Sequence, residues 1–249
     1  MDLQIAGRVA LITGAAGGVG RAVAEALGDE GAALALLDRA APRALADDLR
    51  ARGVDAHAFA ADATDDAQAA AAVDAAVTRF GGIDLVAGCA GISGPVGTRL
   101  EDTLPDQWDE VFAVNVRGSY LLLRHTLPLL RGRARAAVVL VASDSALVAS
   151  GGMAPYCASK AAVVQLARAA SVENPGVRIN AICPSIIDTP MSRGDLELAD
   201  GFDEVAYPVQ SAAEVASTVA YLLSPRARPV DAAALVSDFG YTARSGFPA

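Results

Sequence analysis

Arg8-Val9-Ala10-Leu11-Ile12-Thr13 runs straight into Gly14-Ala15-Ala16-Gly17-Gly18-Val19-Gly20, and Arg21-Ala22-Val23-Ala24-Glu25-Ala26-Leu27 follows without a break. The first six residues are nearly all apolar, the mark of a strand buried on both faces. The last seven read as a helix. Between them, glycines permit a tight turn and the close approach of a ligand. A helix starting there offers free backbone N–H groups and a positive dipole end, which suits a pyrophosphate. A glycine-rich turn alone is weak evidence and can be merely structural. In this strand–turn–helix setting it points to a dinucleotide.

The alternation continues along the chain. Ala33-Leu34-Ala35-Leu36-Leu37-Asp38 is a second strand ending in an acid, eighteen residues after Gly20. A carboxylate there accepts hydrogen bonds from both hydroxyls of an adenosine ribose and repels a 2′-phosphate, which favours NAD(H) over NADP(H). Arg39 softens that repulsion, and Asp38 is also placed to cap a helix beginning near Ala40. Residues 56–60 form a third strand. Asp62-Ala63-Thr64-Asp65-Asp66 precedes a helix over 67–80, so Asp62 suits either a helix cap or a place beside an adenine ring. Residues 83–88 form a fourth strand leading to Cys89-Ala90-Gly91. A long helical segment over 106–130 contains Asn115, whose amide needs partners, as a structural hub or as part of a proton relay. Residues 136–142 form a fifth strand with Ser143 at its end, and residues 177–183 a sixth, followed by an irregular loop from Pro184 to Met191. Residues 192–210 mix charge, glycine and single apolars, as a lid does. A helix over 211–223 and a strand over 232–236 complete the pattern. The expected fold is α/β: one Rossmann-type, doubly wound unit over 1–249 with about seven parallel strands flanked by helices and a substrate loop at about 185–210. Gly14, Asp38, Cys89, Ser143 and Pro184 fall where strands end and should gather on one edge of the sheet.

Tyr156 and Lys160 lie four apart in Ala154-Pro155-Tyr156-Cys157-Ala158-Ser159-Lys160, in a helix expected over 155–171. Both then project from one face. A free tyrosine has a pKa of about 10, and a nearby ammonium pulls it down, so the pair reads as an acid/base unit. Alone it reads more readily as a solvated helix face.

Together these residues resemble the classical short-chain dehydrogenases/reductases over roughly residues 5 to 240. Thr13-Gly14, Gly18 and Gly20 look like that family's cofactor turn. Ser143, Tyr156 and Lys160 match its catalytic trio in order and spacing, and Asn115 matches its fourth member. The resemblance implies hydride transfer between NAD(H) and a secondary alcohol or ketone. Ser143 would bond the substrate oxygen, Tyr156 would move the proton, Lys160 would hold the nicotinamide ribose, and Asn115 would support a water relay. It places Gly14, Gly18, Val19, Gly20, Asp38, Asp62, Ala90, Lys160, Pro184, Ile187 and Thr189 at the cofactor, with Thr189 at the nicotinamide amide. Ser93, Ser145, Met153, Ser185, Met191 and Tyr207 are the expected substrate-pocket residues. It also implies a homotetramer or dimer. The chain departs from the family pattern at Cys89, where asparagine is usual, and at Ser185, where glycine is usual and an added side chain should narrow the pocket. Val230-Asp231-Ala232 lacks a customary glycine, and Phe239 stands within a customary Asp-Gly-Gly.

Other classes are weighed against this reading. The charge of −9 among 249 residues disfavours nucleic acid, and no basic run marks a membrane patch. Cys89, Cys157 and Cys183 are odd in number and form no CxxC, which suits free thiols in the cytoplasm. Cys157 has no histidine near it in sequence to make it a nucleophile. His57 and His125 are too far apart in the chain for a histidine-rich metal site. No leader or membrane span is expected. The same scaffold also serves imine reduction, epimerisation, or a catalytically idle NAD(H) sensor or scaffold.

Overall fold

In the computed structural model, residues 2–198 and 200–244 are described. Met1 and residues 245–249 at the ends of the expected unit, and Ala199 in its expected substrate loop, lie outside them. The elements follow in the order β1 Val9–Thr13, α1 Gly18–Asp29, β2 Ala33–Asp38, α2 Arg43–Ala51, β3 Ala56–Ala60, α3 Asp66–Phe80, β4 Leu85–Gly88, α4 Pro105–Phe112, α5 Gly118–Leu130, β5 Ala137–Val141, α6 Ala154–Glu173, β6 Arg178–Pro184, β7 Ile187–Asp188, α7 Pro190–Asp195, β8 Gln210–Ser211, α8 Ala212–Leu223 and β9 Ala234–Ser237. Seven of the strands form one sheet in the order β3-β2-β1-β4-β5-β6-β9, and every pairing is parallel.

The two-residue period of a strand sorts the core into two layers. Ala10 and Ile12 of β1, Leu34 and Leu36 of β2, and Ala137 and Val139 of β5 face one side, against Val23 and Leu27 of α1, Leu45 and Leu49 of α2, and Val215 and Val219 of α8. Leu11, Ala35, Leu37, Val138 and Leu140 face the other, against Val73 of α3, Leu122 and Leu123 of α5, and Val163 and Val164 of α6. With apolar neighbours on both sides, these strands have no reason to alternate with polar residues.

Chain order reverses between β1 and β4. At such a switch point the crossovers leave in opposite directions and open a crevice beyond the carboxyl ends of the strands. The long segment expected over 106–130 is helical but not uniform. Between α4 and α5, Ala113–Arg117 widens into a π turn with Asn115 buried inside it. The stretch after β6 is more ordered than its composition suggests. Pairing of β7 with β8 (Ile187 opposite Gln210, Asp188 opposite Ser211) closes its two ends, and α7 lies between them.

Candidate active site

The cleft at the switch point has a volume of about 620 Å³. It begins at the glycine turn. Gly14 adopts φ 66°, and a methyl group there would stand 2.7 Å from the backbone nitrogen of Ala90, so the ends of β1 and β4 touch through backbone alone. Gly17 caps α1 without a side chain, and no acid lies in the first turn of that helix. Its first-turn N–H groups border the cleft with no acid in that turn to compete for them, which fits a phosphate group.

Asp38 closes β2 at the cleft wall. Its Oδ2 accepts from the Ala16 N–H at 2.9 Å and its Oδ1 from the Arg39 N–H at 2.7 Å. Helix α2 begins at Arg43 with Pro42 as its cap, so Asp38 does not cap it. A carboxylate offers about four acceptor sites, and two remain for ribose hydroxyls. Asp62 also lines the cleft and accepts from the Thr64 N–H at 2.8 Å and the Thr64 hydroxyl at 2.7 Å, which hold its carboxyl below the ordinary range. The cap of α3 is Asp65. Gly18, Val19, Gly20, Ala90 and Ile187 line the same cleft. Thr189 does too, while capping α7 and accepting from the Ser192 N–H at 3.3 Å. Pro184 ends β6 buried and outside this lining.

Tyr156 and Lys160 reach the far end of the cleft from the first two turns of α6, where Pro155 occupies a position whose N–H needs no partner. Lys160 Nζ lies 5.5 Å from the centroid of the Tyr156 ring and donates to the Val141 carbonyl at 3.0 Å. Burial lowers the Lys160 pKa to about 8, with Cys89 and Cys183 acting in the opposite sense. Burial pushes Tyr156 up to about 12. Ser143 pulls that value down, and Asp144, Asp195 and Cys157 add to the rise. The sequence reading, in which the ammonium pulls the phenol down, is therefore not what these two side chains give by themselves. Both are desolvated, and burial disfavours each charged form more than their proximity favours it.

Ser143 stands at the end of β5, buried, and accepts from the Ser145 N–H at 3.1 Å. Asn115 acts as a bracket. Its amide donates to the Ile92 carbonyl at 3.0 Å and to Ser159 Oγ at 2.9 Å, and its Oδ1 accepts from the Ile92 N–H at 2.8 Å. Ser159 in turn donates to the Tyr156 carbonyl at 2.7 Å. The chain after β4 is thus tied to the turn of α6 that carries the tyrosine. These are the bonds of a structural hub.

The expected substrate residues scatter. Met191 lines the cleft. Ser93 is buried and donates to Asp195 Oδ2 at 2.5 Å, joining the loop after β4 to α7. Ser145 belongs to the turn after Ser143, Met153 caps α6, and Tyr207 is exposed. Ser185 does not line this cleft; its hydroxyl accepts from Gln210 Nε2 at 3.1 Å. Ser159 and Gln210 escaped the sequence reading as site residues. Only Ser159, three residues after Tyr156 on the same helix, left a signal in spacing.

An open parallel sheet whose switch-point cleft runs from a bare helix end to a tyrosine and a lysine defines a nucleotide-dependent oxidoreductase of the short-chain type. The comparisons agree. Residues 14–242 match the family model described as Enoyl-(Acyl carrier protein) reductase. The 2-(R)-hydroxypropyl-CoM dehydrogenase of Xanthobacter autotrophicus is 37% identical over 251 residues, covering 95% of this chain and 99% of its own. The D-threitol dehydrogenase of Mycolicibacterium smegmatis is 35% identical over 253 residues, covering 97% and 95%. The crystal structure of a 3-ketoacyl-(acyl-carrier-protein) reductase from Brucella melitensis, complexed with NADH, is similar with a TM-score of 0.86 at 31% identity, covering 96% of this chain and 100% of its own. The chain belongs to the short-chain dehydrogenase/reductase family and is an oxidoreductase.

Proposed function

We propose that the protein interconverts a secondary alcohol and a ketone with NAD(H), Tyr156 serving as general acid and base. The observation that carries this reading is the single cleft that begins at the Gly14–Gly20 turn and Asp38 and ends at Tyr156 and Lys160. A nicotinamide dinucleotide, when bound, supplies or takes the hydride. The first turn of α1 would hold its phosphates, Asp38 its adenosine ribose, and Lys160 the second ribose. Asp62, Ala90, Ile187 and Thr189 would line its path. Tyr156 stays a phenol at neutral pH and gives its proton to a carbonyl oxygen during reduction. In oxidation it takes the proton of the alcohol, and a charged Lys160 beside the ring favours the anion this requires. Ser143 bonds the substrate oxygen. Asn115 and Ser159 keep the tyrosine-bearing turn in place.

The carboxylate of Asp38 supports NAD(H). Arg39, also in the cleft wall, favours NADP(H) as the second reading. Substrates of the two dehydrogenase relatives named above support a small hydroxylated molecule. Exposed Leu104 at the cap of α4, Tyr120 on α5 and Val172 on α6 support self-association through the helices around Asn115 and Tyr156. Among the described residues, no helix is long and apolar enough to cross a membrane, and all three cysteines are free, which suits the cytoplasm.

Tyr156→Phe tests the proposal. It should abolish turnover of alcohols and ketones, by about a thousandfold or more, while NADH binding followed by fluorescence changes less than about threefold. Retained turnover would overturn the assignment. Parallel titrations with NADH and NADPH decide the cofactor.

A further inference from the structure

The cleft described above lies beyond the carboxyl ends of the strands. At their amino ends lies a second hollow of about 560 Å³, large enough for a small molecule. Arg135 lines it just before β5, Arg178 where β6 opens, and Arg228 in the turn after α8. Asp231 is the one carboxylate in that lining. Its Oδ1 already accepts from the Ser171 hydroxyl and from the N–H groups of Ile179 and Ala232.

The whole chain carries a charge of −9, yet here cations converge without partners. Among the described residues, none of Arg8, Arg135, Arg178 and Arg228 forms an ion pair with a carboxylate. Arg178 is half-buried and spends its two terminal nitrogens on the carbonyls of Leu222, Leu223, Ser224, Ala227 and Val230, at 2.8 to 3.3 Å. It ties down the carboxyl end of α8 and leaves a fixed positive charge at the wall of the hollow. Burial lowers its pKa and the charge of Arg8 adds to that fall, against the pull of Asp231. Burial lowers Arg8 as well, opposed by Asp84, and Arg135 and Arg133 add to the fall. Guanidinium groups stay charged through such shifts, so the cluster repels itself.

Arg135 and Arg228 are exposed, and neither guanidinium donates to a partner among the described residues. Arg135 also holds a left-handed backbone, φ 61°, which glycine would adopt without strain. Local stability therefore favours glycine at this position, and a side chain needed for binding accounts for arginine.

We propose that this hollow binds a small phosphorylated molecule, held by the free guanidinium groups of Arg135 and Arg228 in the field of Arg178. Three arginines against Asp231 leave an excess of positive charge that a phosphate dianion balances. A guanidinium fork takes two oxygens at once. A planar carboxylate has only one such pair. The tetrahedral phosphate offers several, so forks arriving from the approach to β5 and from the turn after α8 can each take one. The site is at the opposite edge of the sheet from Tyr156 and does not depend on the reading of that cleft.

The experiment titrates inorganic phosphate into the protein at pH 8 and low ionic strength, followed by calorimetry. Saturating NADH is present, so that the first turn of α1 does not contribute. Wild type should bind one phosphate per chain. Arg228→Ala and Arg135→Gly should each weaken it about tenfold or more, the effect of losing a charged hydrogen-bond donor. Arg168→Ala removes the same charge outside the hollow and should change it less than twofold. Without phosphate, Arg135→Gly should unfold at the same temperature as wild type or higher, which an arginine kept for structure would not allow. No saturable binding, or equal losses in Arg168→Ala and Arg228→Ala, would overturn the site. Malonate, a dicarboxylate, binding as tightly as phosphate would overturn the choice of phosphate. Should one of the two variants in the hollow fail to fold, undiminished binding by the other overturns the proposal.

Discussion

At Gly20 a methyl group would stand 2.1 Å from the carbonyl oxygen of Gly14, whereas at Ser185 the side chain already present reaches Gln210 at 3.1 Å. The first place belongs to the end of the cleft proposed for the cofactor and the second to the loop proposed for the substrate. At the cofactor end, backbone lies against backbone, and glycine is the only residue that fits. Around the loop, side chains span gaps. Gln210 donates to Ser185 Oγ and to the Ser237 carbonyl, Arg193 grips Asp188 at 2.6 and 2.9 Å, and Ser93 reaches Asp195. Contacts of the first kind tolerate almost no change in sequence. Those of the second kind can be exchanged one at a time, which is how a common cofactor end can serve different substrates.

The largest expected effect comes from Gly20→Ala. The oxygen it meets belongs to the turn itself and cannot move without opening it, so stability should fall by about 1–3 kcal/mol or more. NADH affinity should fall at least tenfold. Denaturation together with NADH titration measures both, and an unchanged midpoint would break the contrast.

An intermediate effect belongs to Lys160, which sits where the two regions meet. Its folded pKa of about 8 is below the ordinary value of 10.5. Between those values the unfolded chain holds a proton that the folded one has shed, so stability rises with pH. Burial pushes Cys89 to about 12 and Cys183 to about 11, from 9.0, and above that ordinary value they act oppositely, because the folded chain keeps protons that the unfolded one loses. The clean window is therefore about pH 8 to 9, where the rise is at most about 1.4 kcal/mol per pH unit for one proton. Lys160→Met should flatten it, as denaturant titrations at several pH values would show. A slope surviving the substitution would assign it elsewhere.

The smallest effect is expected from Ser185→Gly, which removes one neutral hydrogen bond and costs about 1 kcal/mol. The Ser237 carbonyl still accepts from Gln210. Substrate KM should shift by a few-fold and NADH affinity by less than twofold, measured by steady-state kinetics and titration. An equal loss on both would mean that the loop and the cofactor end are not separable.

The same contrast explains what could be read in advance. The strands were legible because burial on both faces leaves uninterrupted apolar runs, as in Ala137–Val141, and their ends differ from expectation by only a few residues. The glycine turn, Asp38 and the Tyr156–Lys160 spacing were legible because each is a local pattern with one geometric meaning. The pairing of Ile187 with Gln210 was not, because it joins residues more than twenty apart with no period between them. Asp65 rather than Asp62 caps α3, a choice among neighbouring acids that composition cannot make. Where the customary glycine is missing, the Asp231 carboxylate accepts from Ser171, Ile179 and Ala232, partners that its position in the sequence does not announce.

The widened turn around Asn115 has an evolutionary consequence. A π turn absorbs an additional residue within a helix, so the segments on either side keep their orientation. α4 and α5 would present the same faces to their neighbours were that residue absent, and only the amide bracket behind the tyrosine would be missing. A one-codon insertion or deletion can therefore install or erase this brace without redesigning the scaffold around it.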